Sequence, residues 1–160
     1  MVSSNCALCQ YFVDDTELLF APTLERYAFE FVACTSEREG RECRALYRSP
    51  HVSLLFILQD GQASCLLAQH NTLFPPNELL LGTGDHGWYH ISFLAEIEAN
   101  RIIVTRKLLQ EFTEGRVSEY EWQAELLAER AERLFPMLDP DSADGRRERF
   151  LRHRKSLGGR

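Results

Sequence analysis

His51-Val52-Ser53-Leu54-Leu55-Phe56-Ile57-Leu58-Gln59-Asp60-Gly61-Gln62-Ala63-Ser64-Cys65-Leu66-Leu67-Ala68 decides the fold of this chain. Val52, Leu54, Phe56 and Leu58 fall on one face of an extended segment, Leu55 and Ile57 on the other. A strand apolar on both faces at its middle suits the centre of a sheet, covered on both sides. Asp60-Gly61 is a strong two-residue hairpin signal, because both positions of the favoured turn need positive φ. A two-residue loop there sets Phe56 opposite Cys65, Leu54 opposite Leu67 and Leu55 opposite Leu66.

Upstream, Tyr27 to Ala33 alternates and Arg44 to Arg48 reads as a short strand. Glu37 to Arg41, polar and containing Gly40, makes the first turn, and Ser49-Pro50 the second. The expected architecture is α+β: an antiparallel meander of about four strands packed with N-terminal and C-terminal helices. Asp14 and Asp15 are N-cap candidates for a helix to about Arg26, which Pro22 kinks or splits. The stretch before Gln10 reads as loose.

Downstream, Pro75-Pro76 and Gly82, Gly84 and Gly87 punctuate a long connection over residues 69–87. Trp88 to Phe112 is mostly helical in pattern. The β-branched run Ile102-Ile103-Val104 divides it into helices over about 92–100 and 105–112. Ser118-Glu119-Tyr120-Glu121 is a capping box. The helix it opens carries Tyr120, Ala124, Leu127, Ala131 and Leu134 as an apolar stripe, with Trp122 and Leu126 widening it, until Pro136 stops it.

A chain of 160 residues, 44% hydrophobic and 26% charged, fits one domain able to bury a core without staples. The boundaries expected are one domain over 1–144 and a basic tail over 145–160. That tail has seven cationic residues against one acid, net +6; the rest has eleven against twenty-three, net −12. An acidic body repels phosphates, which argues against nucleic acid and favours a basic protein partner. No leader pattern opens the chain and no segment approaches a membrane span, so a reduced, cytoplasmic protein is expected.

Cys6-Ala7-Leu8-Cys9 has the spacing of a zinc knuckle. Cys34 and Cys43 are too widely spaced to be a second one, and the two thiols read as incidental; no metal and no cofactor is expected. His86 and His90 stand four apart in Asp85-His86-Gly87-Trp88-Tyr89-His90, with Trp88 as a core anchor. Asp85 beside either imidazole is a candidate acid–base pair. Around it there is no GxSxG, P-loop or GxGxxG frame. Acid-rich runs over Glu25 to Glu42 and Glu111 to Glu125 suit solvated faces or an acidic recognition surface. The candidate binding residues are therefore Asp85, His86, Trp88, His90, Glu37, Glu39 and Glu119.

The helix leading into Tyr27-Ala28-Phe29, the meander holding Tyr47-Arg48-Ser49-Pro50-His51-Val52, then Trp88-Tyr89-His90-Ile91 and the helix ending Leu126 to Phe135 resemble a diffuse group of small bacterial α+β proteins. Some of these are similar to immunity proteins of toxin systems. The resemblance spans about residues 15–136 and implies a non-catalytic protein-binding role, with no catalytic residue to carry over. Two other expectations stand beside it. One is a small enzyme or ligand-binding protein built on the 69–90 loop, with Asp85, His86 and His90 converging under Trp88. The other is a metal-dependent regulator using Cys6 and Cys9, with the basic tail on nucleic acid.

Overall fold

The computed structural model describes residues 4–74 and 85–139, together with Arg152. A 3-10 turn, Ser4–Cys9, leads into α1 (Gln10–Leu19) and α2 (Ala21–Arg26). Pro22 stands at the start of α2 and splits the helix expected to about Arg26, since its lack of an N–H is tolerated only in a first turn. α1 itself begins at Gln10, so Asp14 and Asp15 lie inside it and do not cap it. The meander follows as β1 (Glu30–Glu37), β2 (Glu42–Arg48), β3 (Val52–Gln59) and β4 (Gln62–Gln69). Then come β5 (Tyr89–His90), α3 (Ile91–Ala99), α4 (Arg106–Thr113) and α5 (Glu119–Leu134).

The sheet has five strands in the order β1-β2-β3-β4-β5, one more than the sequence suggests. The addition is β5, which pairs antiparallel with β4 through Leu66–His90 and Leu67–Tyr89, inside the stretch read as mostly helical in pattern and just before the helix expected from about 92. Two residues carry too short an alternation to announce a strand. The fold class is α+β as expected, and β3 is its central strand.

The β3–β4 register sets Phe56 opposite Cys65, Leu54 opposite Leu67 and Leu55 opposite Leu66, as the hairpin signal requires. Asp60 and Gly61 both have positive φ, 50° and 79°, the backbone of a turn that follows the twist of the sheet. The two faces of the sheet bury different material. Tyr47, Leu54, Phe56 and Leu67 belong to the main core beneath α1, α2, α3 and α5. Leu46, Leu55, Ile57, Leu66 and Ala68 belong to a second cluster with Trp88. Trp88 is fully buried and its indole N–H donates to the Leu73 carbonyl at 3.1 Å, so a residue outside the strands anchors the second face.

The main core is aromatic at its centre. Phe20 lies edge-on to Phe56 at 4.6 Å between centroids and tilts against Tyr120 at 5.2 Å. The Tyr120 hydroxyl shares a 2.6 Å hydrogen bond with the hydroxyl of buried Thr16, which ties α5 to α1 and satisfies both polar atoms. Tyr120, Ala124, Leu126, Leu127, Ala131 and Leu134 are all buried, so the apolar stripe of α5 is the face that docks. The Ser118 hydroxyl accepts from the Glu121 amide at 3.3 Å and starts that helix. Between α3 and α4, buried Glu96 accepts from the Ile103 amide at 3.0 Å. That bond holds the chain out of helix where β-branching weakens it.

One buried polar residue explains the width of the sheet. β5 covers only a short part of β4, which leaves backbone groups of β4 without a strand partner. Gln123 of α5 replaces that partner: its carbonyl accepts from the Cys65 amide at 2.7 Å and its amide donates to the Ala63 carbonyl at 3.3 Å. A polar residue inside an apolar helix face was the visible signal. Its role required the position of β4.

The expectation of a loose stretch before Gln10 is overturned for residues 4–9, and that of reduced cysteines with it. Cys6 is bridged to Cys34 of β1, and Cys9 to Cys43 of β2, each with Cα atoms 5.9 Å apart. Cys65 is the one free thiol among the described cysteines, and burial raises its pKa. Folding, not spacing along the chain, brings the sulfurs of each pair together. The connection over 75–84, with Gly82-Thr83-Gly84, lies outside the described residues, as does the expected tail over 145–160 apart from Arg152. No described helix is long and apolar enough to cross a membrane.

Candidate functional site

The residues singled out in the sequence fall into two separate regions. His90 is in β5, at one edge of the sheet, while Glu37 and Glu39 stand at the β1–β2 turn on the opposite edge. His86 is exposed with φ 56° in a short 3-10 turn over Asp85–Gly87. His90 serves the structure directly. Its Nδ1 accepts from the Ser92 amide at 3.1 Å and lies 2.7 Å from the Ser92 hydroxyl, capping α3. Burial pushes its pKa down to about 4, so the ring is neutral at pH 7 and Nδ1 carries the accepting lone pair. Trp88 is held in the second core cluster. His86 and His90 are thus committed to different surroundings. Among the described residues, no group of three or more His, Cys, Asp or Glu side chains is placed to hold a metal ion.

The acidic candidates lie together more closely. Glu37, Glu42, Gln59 and Gln62 occupy one rung across β1 to β4, so the β1–β2 turn and the Asp60-Gly61 hairpin share one end of the sheet. Beside that hairpin is an open hollow of about 640 Å³. Tyr11, Phe12 and Asp15 of α1 form one wall, Leu58 and Gly61 to Ala63 a second, and Phe112, Ser118 and Glu119 a third. Tyr11 is 92% exposed at its rim. Partial desolvation lifts the Glu119 carboxyl above its usual range. Glu119 is the sequence candidate that a concavity receives.

A second hollow of about 540 Å³ opens against α1, α2 and β1. Three carboxylates, Glu17, Glu25 and Glu30, surround the aromatic rings of Phe29, Phe31 and Tyr47. The Tyr47 hydroxyl donates to Glu17 at 2.9 Å, and burial followed by that hydrogen bond raises the phenol pKa further from neutrality. Phe31 meets Tyr47 edge-on at 5.5 Å, which fixes the floor. Ala28 turns the chain from α2 into β1 with φ 56°, setting Phe29 and Glu30 at the mouth. Of these residues, only Glu25 and Glu30 stood among the acid-rich runs. The signal for the rest was the sequence Phe29-Glu30-Phe31, in which a carboxylate alternates with two rings.

One acidic residue departs from the solvated-face reading. Glu42 is buried at the start of β2, 3.6 Å from buried Arg44 and 3.9 Å from Arg38. Burial of a paired carboxylate makes it part of the sheet's structure and removes it from any recognition surface. Of the acid-rich runs, Glu25 and Glu30 on the α2–β1 side and Glu119, Glu121 and Glu125 on α5 are exposed. No family model, no curated protein and no solved structure matches the chain.

Proposed function

We propose that this protein is a non-catalytic binding domain that takes a basic protein segment on the face formed by α1, α2 and β1, in the manner of an immunity or accessory protein. The observation that carries this reading is the second hollow, where Glu17, Glu25 and Glu30 ring an aromatic floor. A carboxylate rim and a π-face together suit an arginine or lysine side chain: the charge meets the carboxylates and the cation or its stem lies on a ring. The hollow beside Glu119 extends the same chemistry along α1 through Asp15 and exposed Tyr11. Charge of this kind speeds encounter with a basic partner and disfavours acidic ones. The body outside the tail carries the same sign, at net −12.

The test uses the immobilised full chain against its own source lysate, with captured proteins identified by mass spectrometry. A basic protein should be retained at low salt and released as salt rises. The variant Glu25→Lys/Glu30→Lys should bind it at least about tenfold more weakly, since each exposed charge contributes up to about 1 kcal/mol and reversal doubles the change. Equal capture by the wild type and this variant, with the circular dichroism of both unchanged, refutes the assignment of the face.

A further inference from the structure

The four bridged cysteines form a cage with a donor set that disulfides do not exhaust. Cys6 and Cys9 sit three apart in the 3-10 turn Ser4–Cys9, where side chains at that spacing eclipse and project the same way. Cys43 pairs with Ser36, so Cys34, two residues before Ser36, shares its face of the sheet on the neighbouring strand. A knuckle thus stands over two sulfurs of a β-ladder, and all four residues are at most 7% exposed. The hairpin that carries Cys43 is fitted to the knuckle. Gly40 has φ 85°, and its carbonyl oxygen lies 3.5 Å from the Cys43 sulfur. A Cβ on Gly40 would come within 3.0 Å of Leu8, between the two knuckle cysteines.

We propose that these four cysteines are also a tetrathiolate zinc site, occupied when the bridges are reduced, so that zinc and two disulfides are alternative closures of one cage. In the oxidised form the sulfurs are bonded to each other, and no described group of ligands is open to a metal. A tetrahedral ion with bonds of about 2.3 Å needs sulfurs about 3.8 Å apart. Cα separations of 5.9 Å within each bridged pair are compatible with that spacing, and the shared face of Cys34 and Cys43 with the three-residue spacing of Cys6 and Cys9 puts the two pairs side by side. Two equivalents of a dithiol reductant break the two S–S bonds, each delivering two electrons and two protons and closing to its own disulfide. Zinc then displaces the four thiol protons and forms four Zn–S bonds. Soft thiolates select zinc over magnesium or calcium. Cys65, buried in the core beside Gln123, takes no part.

The experiment compares the full chain reduced with a phosphine and the full chain oxidised, each incubated with zinc, desalted and assayed for metal. About one zinc per chain is expected in the reduced protein and none in the oxidised. Cobalt in place of zinc should give the intense charge-transfer absorption of a tetrathiolate site. The variant Cys9→Ser/Cys43→Ser keeps the Cys6–Cys34 bridge for folding when oxidised, and on reduction should lose both zinc and the cobalt spectrum. The variant Cys65→Ala should retain both. If the reduced metal-free chain unfolds, zinc should restore its helical circular dichroism. A reduced chain that neither takes up zinc nor refolds with it overturns the proposal. So does equal zinc uptake by Cys9→Ser/Cys43→Ser, or an iron-coloured protein that zinc does not displace.

Discussion

Opening the two disulfides should remove far more stability than the core alone would suggest, and the interleaving of the bridges sets the size of the effect. Cys6–Cys34 spans 28 residues and Cys9–Cys43 spans 34. Alone, either bridge restricts the unfolded chain by about 3.7 kcal/mol on loop entropy. With one bridge closed, the second closes a path of only about a dozen residues, through the Cys6–Cys9 turn and the Cys34–Cys43 hairpin, and contributes about 2.8 kcal/mol. Losing one bridge should therefore cost about 2.8 kcal/mol and losing both about 6.5 kcal/mol, comparable to the whole stability of many domains. The assay is urea unfolding followed by circular dichroism, with a chelator throughout so that no metal replaces the bridges. With a slope of about 2 kcal/mol/M, the midpoint should fall by about 1.4 M in Cys9→Ala/Cys43→Ala and by about 3 M on full reduction. A fully reduced, chelator-treated chain whose midpoint stays within about 0.3 M of the oxidised one would falsify the claim that these bridges fasten the N-terminal turn.

Gln123→Ala should cost about 2 kcal/mol by leaving the buried Cys65 amide without an acceptor, measured by the same unfolding assay; a neutral result refutes its role as substitute strand. Leu54→Ala, at a fully buried position in the central strand, should cost between about 2 and 5 kcal/mol. For His90 the folded pKa of about 4 lies below the ordinary 6.5, so the unfolded chain binds the extra proton between those values. Stability from this group is complete above pH 6.5 and lost as pH falls toward 4; His90→Asn, which keeps a cap, should flatten that limb in melting temperatures across the range. Gly40→Ala should be destabilising through both its positive φ and the contact with Leu8, and should slow re-formation of the Cys9–Cys43 bridge after reduction, followed by thiol titration.

The Asp60-Gly61 turn, the β3–β4 register and the docking face of α5 were legible because each depends on residues near one another in sequence. Positive φ at a two-residue loop fixes which side chains face each other, and a helix shows its buried side by spacing alone. Ile102-Ile103-Val104 likewise marked the break between α3 and α4. β5 was not legible, because two residues become a strand only when β4 lies alongside. The candidate site was legible in its charges more than in its shape. Glu25 and Glu30 were visible as acids, but Glu17, Phe31 and Tyr47 joined them only when α1 and β2 met across the hollow, and Glu119 lines the other one.

The cysteines mark the limit most sharply. Cys6-Ala7-Leu8-Cys9 announced a knuckle, and its partners looked mis-spaced because spacing was counted along the chain. Across the β1–β2 ladder, Cys34 and Cys43 share one face of neighbouring strands, a relation set by strand register. By itself the sequence determined α3 to α5, the turns and the central strand, since backbone preference and hydrophobic period act over a few residues. The tertiary structure alone decided which sulfurs meet, which carboxylates share a hollow and which strand edge Gln123 completes. Those contacts join segments tens of residues apart, and only packing of the whole core fixes their geometry.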